Sequence, residues 1–293
     1  MKRLTAIALA IIMTAAVSCD SRKSGSGASG NDAGNGSGSE DFPEIEVTFM
    51  DVGKADCMVI RSGETTAVID CGEKDDGKDL VKFLQKQDVK TVDKLIITHY
   101  DKDHVGGAAK LIELMDVRSV IGPDYNEKSD EFEKFRSAMR AKGIGLKCLR
   151  EDMEFELGGA NYRVYAPERS YYGPDDENDF SLVVRLDYHD TSMIFAADAM
   201  EQRLSEVMDI GSCDLLKVPY HGRKIANLDS FLDEVSPEYA VVSTSEDVLD
   251  EELVELLEDR DIKTYYTFNG NISTVCDGRD ITFTQEEKTD KDL

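Results

Sequence analysis

Two of the chain's four histidines fall within one six-residue stretch, His99-Tyr100-Asp101-Lys102-Asp103-His104. The apolar run Lys94–Thr98 precedes it, and a helical pattern, Asp103–Leu114, begins inside it. Imidazole nitrogens and carboxylate oxygens both suit a divalent cation, and alternate positions on an extended loop share a side. A loop between a buried strand and a helix can aim four such groups at one point, which demands an α/β body beneath it. Gly106 and Gly107 allow close backbone approach as the helix starts. The plainer reading is an acidic helix N-terminus with two histidines nearby, because Asp is favoured there in any case.

The rest of the pattern supplies such a body. Short β-branched runs at Ile45–Val52, Asp56–Ile60 and Thr66–Ile69 are broken by Gly53 and Ser62-Gly63. Helical spacing follows at Gly77–Gln87 and Asp130–Lys142, with strands near Val117–Ile121, Tyr162–Tyr165, Ser181–Leu186 and Ser192–Ala196. The tail alternates: helix Met200–Met208, strand Cys213–Val218, helix Leu228–Val235, strand Tyr239–Ser243, helix Asp250–Glu258, strand Ile262–Thr267. A hairpin turning on Asp277-Gly278 closes it. Two αβ halves whose sheets pack face to face, helices outside, are the economical layering. No linker interrupts residues 43–284, so they form one domain, and residues 285–293 read as a frayed tail.

The N-terminal segment is of another kind. Lys2 and Arg3 precede an apolar stretch that ends at Ala16-Val17-Ser18-Cys19, the pattern of a lipoprotein signal peptide over residues 1–18 with Cys19 as the lipidated residue. Residues 19–42, almost all Gly, Ser, Asn and Asp, read as a flexible tether. The expected location is therefore extracytoplasmic, lipid-anchored to a bacterial cell membrane. No apolar run reaches the roughly 18 residues a spanning helix needs. Five further cysteines (Cys57, Cys71, Cys148, Cys213 and Cys276) contain no CxxC pair and read as core residues rather than bridges. With 60 acidic against 34 basic side chains, the net charge of −26 disfavours tight binding to long DNA.

Four ordered segments resemble the metallo-β-lactamase superfamily, in the branch related to the hydrolase domain of ComEC/Rec2 competence proteins. They are Phe49–Asp56 with Ile69-Asp70-Cys71-Gly72; His99–Gly107; Asn178–Val183 with Ala197-Asp198; and Leu216–Gly222. The resemblance implies a four-layer αββα sandwich and a two-metal centre, zinc or manganese. His99 and Asp101 would face one ion, Asp103 and His104 the other, Asp198 would bridge, and His221 would close the set. Two nearby cations lower the pKa of a shared water and neutralise phosphoryl or acyl oxygen charge. Asp103 or Asp198 would orient the nucleophile as the catalytic carboxylate.

Several positions depart from that pattern. Lys54 and Ala55 replace Gln and Gly, a change read as altering the turn. Ala197 replaces a Gly and reads as neutral. Tyr220 replaces the first His of a His-His pair, which weakens the second metal site if that His is the ligand. Arg223 stands where Ser is common and, with Lys217 and Tyr220, is a candidate substrate contact. Asn178 or Asp179 is the nearest substitute for a further family His. Asp70 either orients the metal loop or shapes its turn, Tyr171-Tyr172 line a groove or lie exposed, and His189 reads as a surface residue. The leading functional reading is a hydrolase of a phosphorylated or nucleotide-like substrate, of phosphodiesterase type. A weakened or inactive binding relative is the alternative, and a β-lactam or lactone hydrolase is disfavoured because Asp101 stands where those enzymes carry His.

Overall fold

In the computed structural model, residues 43–174 and 177–286 are described. The signal and tether segments, with Cys19, and tail residues 287–293 lie outside them. Two sheets form the body. The first has eight strands in the order Ile281–Gln285, Ile272–Cys276, Ile45–Phe49, Met58–Ser62, Thr65–Ile69, Lys94–Ile96, Val120–Pro123, Leu146–Leu149. The second has seven: Lys263–Tyr266, Tyr239–Val242, Leu215–Lys217, Thr191–Phe195, Val183–Tyr188, Ala160–Tyr165, Met153–Leu157. Each sheet is antiparallel on one side and parallel on the other, the parallel parts being those whose strands are linked through helices.

Side-chain alternation sorts the core into layers. Met58, Ile60, Ala67 and Ile69 point between the sheets, where they join Val184, Met193 and Phe195 of the second sheet. Their neighbours Val59 and Val68 face the opposite way, against Leu80 and Leu84 of helix Asp76–Lys86, Leu111 of helix Ala108–Leu114 and Phe135 of helix Asp130–Lys142. On the second sheet Val183, Ile194 and Ala196 turn outward to Leu204 of helix Glu201–Glu206, Phe231 of helix Leu228–Val235 and Leu253 of helix Glu251–Glu258. The result is helices, sheet, sheet, helices: the αββα sandwich expected.

The expected helix Asp103–Leu114 is two helices, Lys102–Val105 and Ala108–Leu114. The chain bends at Gly107, where a Cβ would meet the Cys71 carbonyl oxygen at 2.2 Å. Strands Leu146–Leu149 and Met153–Leu157 were not foreseen; they lie at sheet edges with several side chains exposed, so the apolar signal is faint. Gln285, assigned to the tail from sequence, is the last residue of its strand, and its amide donates to the Tyr266 and Gly270 carbonyls at 2.7 and 3.1 Å. All five described cysteines are free thiols. No helix among the described residues is long and apolar enough to cross a membrane.

Candidate metal centre

The centre is assembled where strands of both sheets end. Asp70 follows strand Thr65–Ile69 with a left-handed backbone (φ 57°). Its carboxylate accepts from the Thr98 amide at 2.8 Å and the Thr98 hydroxyl at 2.6 Å, and lies 2.9 Å from His104 Nδ1. An ionised carboxylate only accepts, so His104 donates from Nδ1 and presents Nε2 to the centre. Asp70 thus does both things the sequence left open: it shapes the turn and orients a metal-loop histidine.

The other imidazoles are set the same way. His221 Nδ1 donates to the Ser243 carbonyl at 3.0 Å, leaving Nε2 3.1 Å from Asp198 Oδ2. Thr98 gives its hydroxyl proton to Asp70, so that oxygen accepts from His99 Nδ1 at 3.2 Å; Ser181 Oγ stands 3.5 Å from the same nitrogen. The Nε2 atoms of His104 and His221 are 3.3 Å apart, and the His99 and His104 rings lie 4.0 Å centre to centre. Lone pairs converging at that distance need a proton or a cation between them.

Backbone strain accompanies the arrangement. Ala197, Tyr220 and His221 all have φ near 50° (50°, 52° and 52°), a region costing a non-glycine residue about 1 kcal/mol or more. Ala197 in place of Gly is therefore not neutral, since its Cβ occupies that strained conformation. The turn directs the Ala197 carbonyl to both Lys217 Nζ (3.0 Å) and the Tyr220 amide (3.1 Å).

Charge follows the geometry. Burial, aided by the neighbouring His104, pushes the His99 pKa down to about 3. Burial alone would also lower His104 and His221, but Asp198, assisted by Asp70 for His104 and Asp103 for His221, outweighs it and raises both. Asp198 is held well below the usual carboxylate range: burial opposes this, and the two histidines prevail. Asp103 is likewise lowered against the cost of burial, by His221, His104 and Lys54.

Among the described residues, ligand atoms of His99, His104 and Asp198 lie within 4.8 Å of one another, as do those of Asp103, His104 and His221 and those of Asp56, Asp198 and His221. Three buried polar atoms here, His99 Nε2, Asp198 Oδ1 and Asp56 Oδ1, make no hydrogen bond. Orphaned buried acceptors are costly unless something binds them. Imidazoles with carboxylates suit a divalent ion, so the residues present fit a metal.

Five of the six expected ligands converge. The sixth, Asp101, is at the rim: its side chain is 36% exposed, its carboxylate lies 3.7 Å from His99 Nε2, and partial burial raises its pKa. Lys217 is fully buried in strand Leu215–Lys217, its ammonium paired with Asp56 and the Ala197 carbonyl, so a substrate cannot reach it. Tyr220 is half-buried, with the exposed Arg223 guanidinium 5.6 Å from its ring centre. Asp179 accepts from the Met200 and Arg203 amides at the start of helix Glu201–Glu206 and takes no place among the ligands. Tyr171 is exposed, Tyr172 is buried with its hydroxyl donating to Glu206, and His189 is exposed.

Asp56 was missed as a site residue. The signal was Lys217 inside the apolar run Leu215–Val218, because a lysine buried in a strand needs a carboxylate, and Asp56 supplies it.

A helix-flanked double sheet with a metal-ligating cluster at the strand ends defines a class, that of the metallo-β-lactamase fold. The metallo-beta-lactamase superfamily profile matches residues 50–246, and the chain belongs to that superfamily, whose fold implies divalent-metal binding and hydrolysis. The chain is 27% identical over 221 residues to ComE operon protein 3 of Bacillus subtilis, covering 68% of this chain and 28% of that protein. It is 23% identical over 209 residues to Recombination protein 2 of Haemophilus influenzae, covering 69% and 24%. The chain thus spans about a quarter of the length of the curated relatives it matches. The crystal structure of the metallo-beta-lactamase fold protein YhfI from Bacillus subtilis superposes with a TM-score of 0.58 at 12% identity, covering 83% of this chain and all of that one.

Proposed function

We propose that this protein is a metal-dependent phosphodiesterase acting outside the cytoplasm, tethered to the membrane through lipid on Cys19. The observation that carries the catalytic part is the convergence of three buried imidazole Nε2 atoms with Asp198 and Asp103, their remaining nitrogens fixed by Asp70, Thr98 and Ser243. His99, His104, Asp198, Asp103 and His221 would hold zinc or manganese, which when bound supplies positive charge for a phosphoryl oxygen and acidifies water. Asp198 joins the two histidine groups, its oxygens 3.4 Å from His104 Nε2 and 3.1 Å from His221 Nε2; Asp103, the more exposed carboxylate of the two, would orient an attacking water. Arg223, exposed one residue beyond Gly222 and next to the His221 turn, offers a fork of donors to a phosphate.

The substrate class follows from charge as well as from ligands. At −26 the surface repels a long polyanion, so a small nucleotide-like diester or a phosphorylated envelope polymer fits better than duplex DNA. The test is hydrolysis of bis-p-nitrophenyl phosphate and of single- and double-stranded DNA by purified protein of measured metal content. Turnover of the small diester, abolished in His99→Ala and Asp198→Ala, supports the reading. Bound metal without turnover of any diester would instead support a binding protein.

A further inference from the structure

The loop between strands Ile45–Phe49 and Met58–Ser62 carries a cation into the centre. Gly53 turns it (φ 68°), and the Asp56 amide donates to the Asp103 carbonyl at 3.1 Å, fixing it against the metal loop. Lys54 Nζ then lies 2.7 Å from Asp103 Oδ2, with side-chain exposures of 31% and 10%. That same oxygen stands 3.6 Å from His221 Nε2, and Asp103 belongs to the ligand group Asp103, His104 and His221. Among the described residues no ammonium stands at hydrogen-bond distance from the group His99, His104 and Asp198: Lys217 Nζ is 4.0 Å from Asp198 and is engaged by Asp56.

We propose that Lys54 is a built-in counter-cation that occupies the second metal position. The His99, His104 and Asp198 group takes one ion tightly, and the Asp103, His104 and His221 group takes a second only when the Lys54 ammonium leaves its carboxylate. A unit positive charge at hydrogen-bond distance from a ligand oxygen both blocks that oxygen and repels an incoming divalent ion. Lys54 has a flexible stem and a partly exposed head, so it can swing to solvent or to a substrate anion as the second ion enters. The inference rests on the metal-dependent reading above.

The experiment is calorimetric titration of chelator-stripped full-length protein with zinc and, separately, manganese, backed by elemental analysis and circular dichroism. Wild type is expected to bind one ion tightly and a second at least tenfold more weakly. Lys54→Gln should tighten the second site about tenfold and leave the first unchanged, whereas Lys54→Arg, which keeps the charge, should titrate like wild type. Equal second-site affinity in wild type and Lys54→Gln overturns this proposal and leaves the hydrolase reading standing. Failure of every form to bind metal overturns both.

Discussion

At the scale of single residues, the groups around the metal ligands decide how the centre works. Asp70 holds His104 by one oxygen and the Thr98 amide by the other. Asp70→Asn keeps an acceptor for Thr98 but turns an amide NH₂ or a weaker acceptor toward His104, which loses its orientation. Metal affinity should fall about 10- to 100-fold, measured by chelator competition, with the fold intact. Protons give a second test. His104 and His221 have raised pKa values, so the metal-free protein retains imidazole protons above pH 6.5, where ordinary histidines have lost theirs. Metal must displace those protons, so zinc uptake at pH 7 should release them and affinity should climb as pH rises above 6.5. Calorimetry in buffers of differing ionisation enthalpy counts the protons, and uptake without release would contradict the assignment. The ligands were legible in sequence because they lie in short motifs. The role of Lys217 was not, because a lysine's burial depends on Asp56, 161 residues away in the chain.

At the scale of elements, short helices are held by polar anchors as much as by apolar stripes. Helix Glu201–Glu206 has six residues, too few to be stable alone. Asp179 accepts two amides at its start, and the buried Arg203 guanidinium donates to the Ser181 and Tyr165 carbonyls at 2.8 Å and pairs with Glu206 at 3.0 Å. Arg203→Met leaves the Ser181 and Tyr165 carbonyls without their donor, while Glu206 keeps Arg169 and the Tyr172 hydroxyl, so the substitution should cost about 1–3 kcal/mol, measured by urea unfolding. Sequence periodicity located helices Asp130–Lys142 and Leu228–Val235 to the residue, because each has a clean apolar stripe. It joined the two helices around Gly106-Gly107, since that break depends on a backbone approach from Cys71 that local pattern does not encode.

For the whole molecule, the centre is a joint between sheets. His99, Asp103 and His104 follow a strand of the first sheet, whereas Asp198 and His221 follow strands of the second. A bound ion therefore clamps the sandwich at one end, and stripping it should lower the melting temperature. At a hundredfold excess over Kd the ion is worth about 3 kcal/mol, read by thermal melts with and without chelator; equal melting points would remove the ion from this structural role. The layer order was readable because short apolar, β-branched runs alternate with stretches of helical spacing along the chain. Which strands sit side by side was not, because Ile45–Phe49 takes one of its neighbours from Ile272–Cys276 near the opposite end of the body.

That pairing has a cost during synthesis. Until Ile272–Cys276 emerges, one flank of Ile45–Phe49 is an open row of amides and carbonyls beside apolar side chains, the kind of template on which neighbouring chains stack. The closing hairpin is thus a shield against self-association, and a chain interrupted upstream of it should be recovered as aggregate rather than as a smaller soluble fragment.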